Sequence, residues 1–150
     1  MYKIIITSDS NKHFESAIKE YEKRLGKTFE ITKLKPVKNG SDKQIIEKET
    51  DNLIKILEKQ KWFKIVLNPV WKNLDTKELY NLIEEKKQNF SEFIFIIGWA
   101  LWIDYIWLKS YINFELNLWK MTMPHSLALL VISEQIYRLE MMKKGTSYNK

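Results

Sequence analysis

The chain has 150 residues, no cysteine, two histidines, 25 Lys plus Arg against 19 Asp plus Glu, and a formal net charge of +6. This size supports one domain with one sizeable core, expected to span 1–150, and a 45% hydrophobic content excludes a disordered chain. The missing cysteines exclude a disulfide scaffold and a thiolate metal site, and no apolar run reaches the ~18 residues of a membrane span.

Tyr2 to Thr7 is a β-branched run closed by polar Ser8-Asp9-Ser10, which predicts a buried strand and is too short for a signal peptide. Phe14, Ala17, Ile18, Tyr21 and Leu25 recur at helical spacing, with Gly26 as the stop signal. Phe29, Ile31 and Leu34 alternate as a second strand ending by Pro36. Ile45, Ile46, Leu53, Ile54 and Leu57 mark a helix of about twenty residues, opened by Ser41 or Asp42.

Phe63 to Asn68 predicts a third strand, broken by Pro69; Asp75 or Thr76 then caps a helix carrying Leu79, Leu82 and Ile83. Phe93 to Ile97 is uninterruptedly apolar and ends in Gly98, the pattern of a central parallel strand buried on both faces. Residues 99–120 read as irregular, with a short helix near 103–110, where Asp104 serves as a cap, and a short strand near 114–118. Pro124 is placed to open a last long helix that runs to about Met142.

Strands alternating with helices predict an α/β fold with a mostly parallel sheet. Ligands in such sheets bind beyond the carboxyl ends of the strands. Those ends are followed here by Asn68–Lys72, Gly98–Ile103 and Leu118–His125. No Walker, GxSxG, HExxH or GxGxxG motif is present, and two histidines make a histidine metal site improbable. The basic excess is modest and spread along the chain, a balance that permits binding to nucleic acid without requiring it.

Three segments carry more. Lys120-Met121-Thr122-Met123-Pro124-His125, Glu134-Gln135-Ile136-Tyr137-Arg138 and the terminal Tyr148-Asn149-Lys150 closely resemble the RlmH (YbeA) family. Glu20-Tyr21-Glu22-Lys23-Arg24-Leu25-Gly26 is similar to the end of that family's first helix. The resemblance covers essentially the whole chain. It implies a SPOUT-type methyltransferase fold: a mostly parallel sheet with helices on both faces and a C-terminal trefoil knot. It implies transfer of a methyl group from S-adenosylmethionine to N3 of a pseudouridine in large-subunit (23S) ribosomal RNA, by a cytoplasmic homodimer acting on the ribosome or its large subunit, without metal or membrane. The cofactor is expected against Leu67, Gly98, Trp99, Leu118, Trp119, Lys120, Met121, Thr122 and Met123. Tyr148, Asn149 and Lys150 are expected at the reaction, and His125, Arg138 and Lys150 on RNA. The family tail carries histidine where Asn149 stands, and Asn149 cannot act as a base. A non-catalytic RNA-binding or assembly protein on the same fold, or a methyltransferase with another RNA target, stays open at this point.

Tryptophan is the anomaly. The family's loops read L-x-x-x-GK and IGG-x-x-G, where this chain has Leu67-Asn68-Pro69-Val70-Trp71-Lys72 and Ile97-Gly98-Trp99-Ala100-Leu101-Trp102. Trp71, Trp99 and Trp102 thus stand at glycine positions, Trp119 lies in the cofactor loop, and Trp62 and Trp107 are expected at turns. There are four Gly and six Trp, and restoring all six gives the ~7% glycine usual for this length. The hypothesis is that all six are glycine encoded by UGA and rendered as tryptophan; six genuine tryptophans in a diverged relative are the alternative.

Overall fold

In the computed structural model of the chain, residues 1–8, 13–69, 71–98, 104–119 and 121–149 are described, the side chains of Tyr105 and Asn149 excepted. Along the chain these form β1 (Tyr2–Thr7), α1 (Glu15–Leu25), β2 (Phe29–Leu34), α2 (Asp42–Leu57), β3 (Phe63–Leu67), α3 (Thr76–Lys86) and β4 (Phe93–Ile97). They continue with α4 (Tyr105–Leu108), β5 (Phe114–Leu116) and α5 (His125–Lys143). Single 3-10 turns lie at Gly26–Thr28, Lys109–Tyr111 and Ser147–Asn149.

The strands form one sheet in the order β2-β1-β4-β3-β5, and every pairing is parallel. β4 lies between β1 and β3, in register from Tyr2↔Phe93 and from Phe63↔Phe93. All five of its residues are buried, which is why its sequence shows no alternation. Phe93, Phe95 and Ile97 join Ile4, Ile6 and Ile65 in the core beneath α1, α3 and α5. Ile94 and Ile96 join Ile5 and Val66 in a smaller core with Leu53 and Leu57 of α2 and Leu108 of α4. The sheet is therefore covered on both faces.

Helix boundaries follow from local chemistry. Ser41 caps α2 in a reciprocal box: its Oγ accepts from the Gln44 amide, while the Gln44 side chain accepts from the Ser41 amide. Asp75 and Glu78 repeat the device at α3. α2 has 16 residues, shorter than its apolar spacing predicts, because the chain turns after Leu57. α1 ends at Gly26, whose φ of +56° lies in the region that glycine enters without strain. Asp104 caps α4 as expected, its Oδ1 accepting from the amides of Ile106 and Trp107. Two expectations shift. Pro124 precedes α5 instead of opening it. Trp107 lies inside α4 and not at a turn, because the Asp104 cap starts the helix ahead of it.

Candidate cofactor site

A cavity of about 480 Å³ opens beyond the carboxyl ends of β3, β4 and β5. Three chain segments build it: Leu67, Asn68 and Pro69 after β3; Ile97 and Gly98 at the end of β4; and Leu116 to Trp119 with Met121 to His125 and Ala128 after β5. These match the three loops marked in the sequence. Leu67, Gly98, Leu118, Trp119, Met121, Thr122 and Met123 all line the cavity, together with His125. Trp99, Lys120 and Lys150 lie outside the described residues.

The two outer loops are tied together by amides that leave no periodic signal in sequence. Asn117 is 4% exposed, and its Nδ2 donates to the Pro69 carbonyl at 2.8 Å and to that of Trp71 at 3.4 Å. Its Oδ1 accepts from the Trp119 amide at 2.9 Å, and its backbone amide donates to the Lys72 carbonyl at 3.0 Å. Asn68, equally buried, donates from its amide to the Leu116 carbonyl and from Nδ2 to Glu115 at 2.8 Å. Each side chain spans from one loop to the strand or loop beside it. Both were missed as site residues; the only cue was an amide standing where each strand meets a glycine-poor loop. Replacing Asn117 by Ala removes three part-buried side-chain hydrogen bonds, each worth roughly 0.5–1.5 kcal/mol. A fall in Tm together with weaker cofactor binding is expected; a change in neither would contradict the tie.

His125 stands in the first turn of α5, half-buried on the cavity wall. Burial lowers its titration below the ordinary value of 6.5, so the ring is neutral near neutral pH. Between the ordinary value and the lower folded one, the unfolded chain holds more protons than the folded chain. The group therefore makes the fold less stable as pH falls. His125→Gln is expected to flatten the decline of Tm between about pH 7 and pH 5; a curve parallel to that of the parent would contradict this.

Arg138 and Tyr148 lie away from the cavity. The Arg138 guanidinium holds Glu134 through Nη2 at 2.6 Å and Nε at 3.1 Å, and sits 5.1 Å from the centre of the Tyr148 ring. That ring packs edge-on against Tyr137 at 5.0 Å. Tyr137 is twelve residues beyond His125 on α5, roughly 18 Å along the axis. Within one chain Tyr148 and the cavity are therefore separate.

The cavity can take a cofactor. Its volume falls within the ~300–1,000 Å³ usual for small-molecule sites. Leu67, Leu116, Leu118 and Met123 offer apolar walls for a flat base, and Gly98 and Asn117 to Trp119 line the same cavity with shorter or polar groups among them. Among the described residues, no group of three or more His, Cys, Asp or Glu converges as a metal site, and no helix is long and apolar enough to cross a membrane.

The family of predicted SPOUT methyltransferases matches residues 2–149. The chain is 34% identical over 149 residues to the ribosomal RNA large subunit methyltransferase H of Streptococcus suis, covering 93% of this chain and 92% of that protein. The protein of the same name from Streptococcus equi subsp. zooepidemicus is 32% identical over 147 residues, covering 92% and 91%. That of Streptococcus gordonii is 30% identical over 152 residues, covering 93% and 92%. With its all-parallel sheet and three-loop cavity, this chain belongs to the SPOUT methyltransferase family, among the relatives named ribosomal RNA large subunit methyltransferase H.

Proposed function

We propose that this protein methylates N3 of a pseudouridine in large-subunit ribosomal RNA, working in the cytoplasm as a homodimer with S-adenosylmethionine as methyl donor. The cavity carries the reading: those of the residues expected against the cofactor that are described line one pocket where parallel sheets bind ligands. When bound there, the cofactor supplies a methyl group on a sulfonium. N3 would accept that methyl group, the sulfonium would leave as a neutral thioether, and the N3 proton would pass to solvent. The protein's part is to hold the two partners in line, where proximity and orientation supply most of the acceleration. Leu67, Gly98, Leu118, Met121, Thr122 and Met123 would hold the cofactor, and Trp99, Trp119 and Lys120 belong to the same loops.

Two features support a homodimer. α5 leaves Leu127, Leu130, Val131, Tyr137 and Met141 only half covered, more apolar edge than one core stripe requires. Tyr148 also packs on α5 away from the cavity of its own chain, which supports a tail, Tyr148, Asn149 and Lys150, that acts at the cavity of a second copy. Sedimentation at micromolar concentration is expected to give twice the chain mass; a single-chain mass would overturn this. The resemblance also implies a knotted C-terminal region.

The substrate follows from charge. A net +6 without a dense basic block gives weak, salt-sensitive affinity for naked RNA, so recognition rests on the assembled particle. Tritiated methyl transfer to ribosomes is expected to exceed transfer to a short isolated hairpin at equal RNA concentration. Equal rates on both would overturn the substrate assignment.

A further inference from the structure

The segment Glu20 to Gly26 is part of the family resemblance, yet none of its residues reaches the cavity. Its side chains meet the other end of the chain. α1 packs along α5, and the last 3-10 turn folds back onto α5. The fold-back starts at Gly145, whose φ of +66° reverses the chain; its amide donates to the Met142 carbonyl at 2.9 Å, and the Thr146 amide and hydroxyl both donate to the Met141 carbonyl at 3.1 Å. Tyr148 is thereby laid over Tyr137.

Around that ring the contacts form a closed set. Tyr21 and Tyr137 lie 5.9 Å apart, and Tyr137 meets Tyr148 edge-to-face at 5.0 Å. The Arg24 guanidinium lies 5.5 Å from the Tyr137 ring centre and 6.0 Å from that of Tyr21. Arg138 covers Tyr148 at 5.1 Å. Each arginine is steered by a carboxylate one helical turn away, Glu20 holding Arg24 Nε at 2.8 Å and Glu134 holding Arg138. Burial, and after it the Tyr148 hydroxyl, pushes the Tyr21 phenol above its ordinary titration range. Planar guanidinium groups over aromatic faces and edge-on ring pairs prefer particular geometries, so together they set an orientation that burial alone leaves loose.

We infer that Tyr21 and Arg24 are positioning residues for the reactive tail: with Tyr137 and Arg138 they clamp Tyr148 and fix where the last residues leave the molecule. The inference rests on the tail having the part proposed for it in methyl transfer. It assigns the two arginines to holding the tail and not to ribosomal phosphates, and it gives the Glu20–Gly26 segment a task in the reaction although it lies outside the cavity.

Hydrogen exchange of the full-length protein tests the clamp without needing activity. In Arg24→Ala and Tyr21→Ala, amides of 146–149 are expected to exchange at least tenfold faster, while the strands keep their protection. Arg24 is exposed, so its removal leaves the core intact, and Tyr21→Phe, which keeps the ring, is expected to restore most of the protection. On ribosomes, kcat is expected to fall at least tenfold with the affinity for S-adenosylmethionine unchanged. Unchanged tail exchange in both alanine variants would overturn the clamp. Faster exchange with undiminished kcat would overturn its positioning role. Faster exchange in the alanine variants, with a parent protein that methylates no ribosomal RNA, would support the clamp and overturn the proposed function instead.

Discussion

Glycine at positions 99, 102 and 119 together is expected to raise the affinity for S-adenosylmethionine at least tenfold, about 1.4 kcal/mol. Gly98 ends β4 at the cavity, and the loop that follows is glycine-rich in the family that this chain resembles. Glycine is used where backbone must approach a ligand closely or adopt positive φ, and any side chain as large as an indole works against such an approach. Trp119 stands on the cavity wall, 56% exposed, where a large apolar side chain gains little from burial and narrows the mouth. Trp71 and Trp107 are similarly exposed, at 52% and 50%, which is unusual for three indoles in one small domain. Trp62 differs: it packs beside the α2 core under the Lys3 ammonium at 5.7 Å, so glycine there is expected to lower Tm and leave cofactor affinity alone. Calorimetry on the triple variant is the measurement, and equal affinity in the two proteins would defeat the steric argument. Peptide mass spectrometry of protein from its own source addresses the cause: glycine at 99 and 102 supports recoding of UGA, and tryptophan at both ends it.

Removal of Tyr148 to Lys150 carries the second large effect. Loss of a group that aligns reacting partners costs about a hundredfold even for an ångström-scale displacement. Truncation is therefore expected to lower methyl transfer to ribosomes by that factor or more. Cofactor affinity should hold, because no residue of the 3-10 turn at Ser147–Asn149 lines the cavity. A truncated protein as fast as the parent would remove the tail from the reaction. Mixing inactive truncated chains with chains defective in the cavity is expected to restore part of the activity, since one cavity in the mixed dimer then faces an intact tail.

The architecture was readable where a short stretch of chain decides its own fate. Phe93 to Ile97 announces a central strand because burial on both faces removes any alternation. Ser41 with Gln44 and Asp75 with Glu78 announce helix starts because a cap needs only four consecutive residues. The cavity loops were readable from sheet geometry and from the resemblance. What stayed hidden depends on pairs remote in sequence. Asn117 matters through carbonyls 46 and 48 positions earlier, and a lone asparagine gives no hint of its partner. The location of Tyr148 is set by contacts with Tyr21 and Tyr137 on two different helices, so the motif named the residue without placing it.

The strand order has a consequence for how this molecule comes into being. β1 is made first, yet one of its two neighbours is β4: the Met1 ammonium donates to the Ser91 carbonyl at 3.0 Å, 90 residues away, and the Phe93 amide donates to the Met1 carbonyl. During synthesis at ~5–20 residues per second, an early β1–β2 pair must wait roughly 3 to 13 seconds for the strand that fills the centre of its sheet. For that interval the edge of β1 and the apolar side chains of Ile4, Ile5 and Ile6 stay open to other partners. Non-local parallel pairing of this kind also slows refolding, because loop-closure entropy is paid before the contacts repay it. A nascent chain stalled before residue 93 is thus a form of this protein with an uncovered strand, in need of a chaperone until β4 arrives.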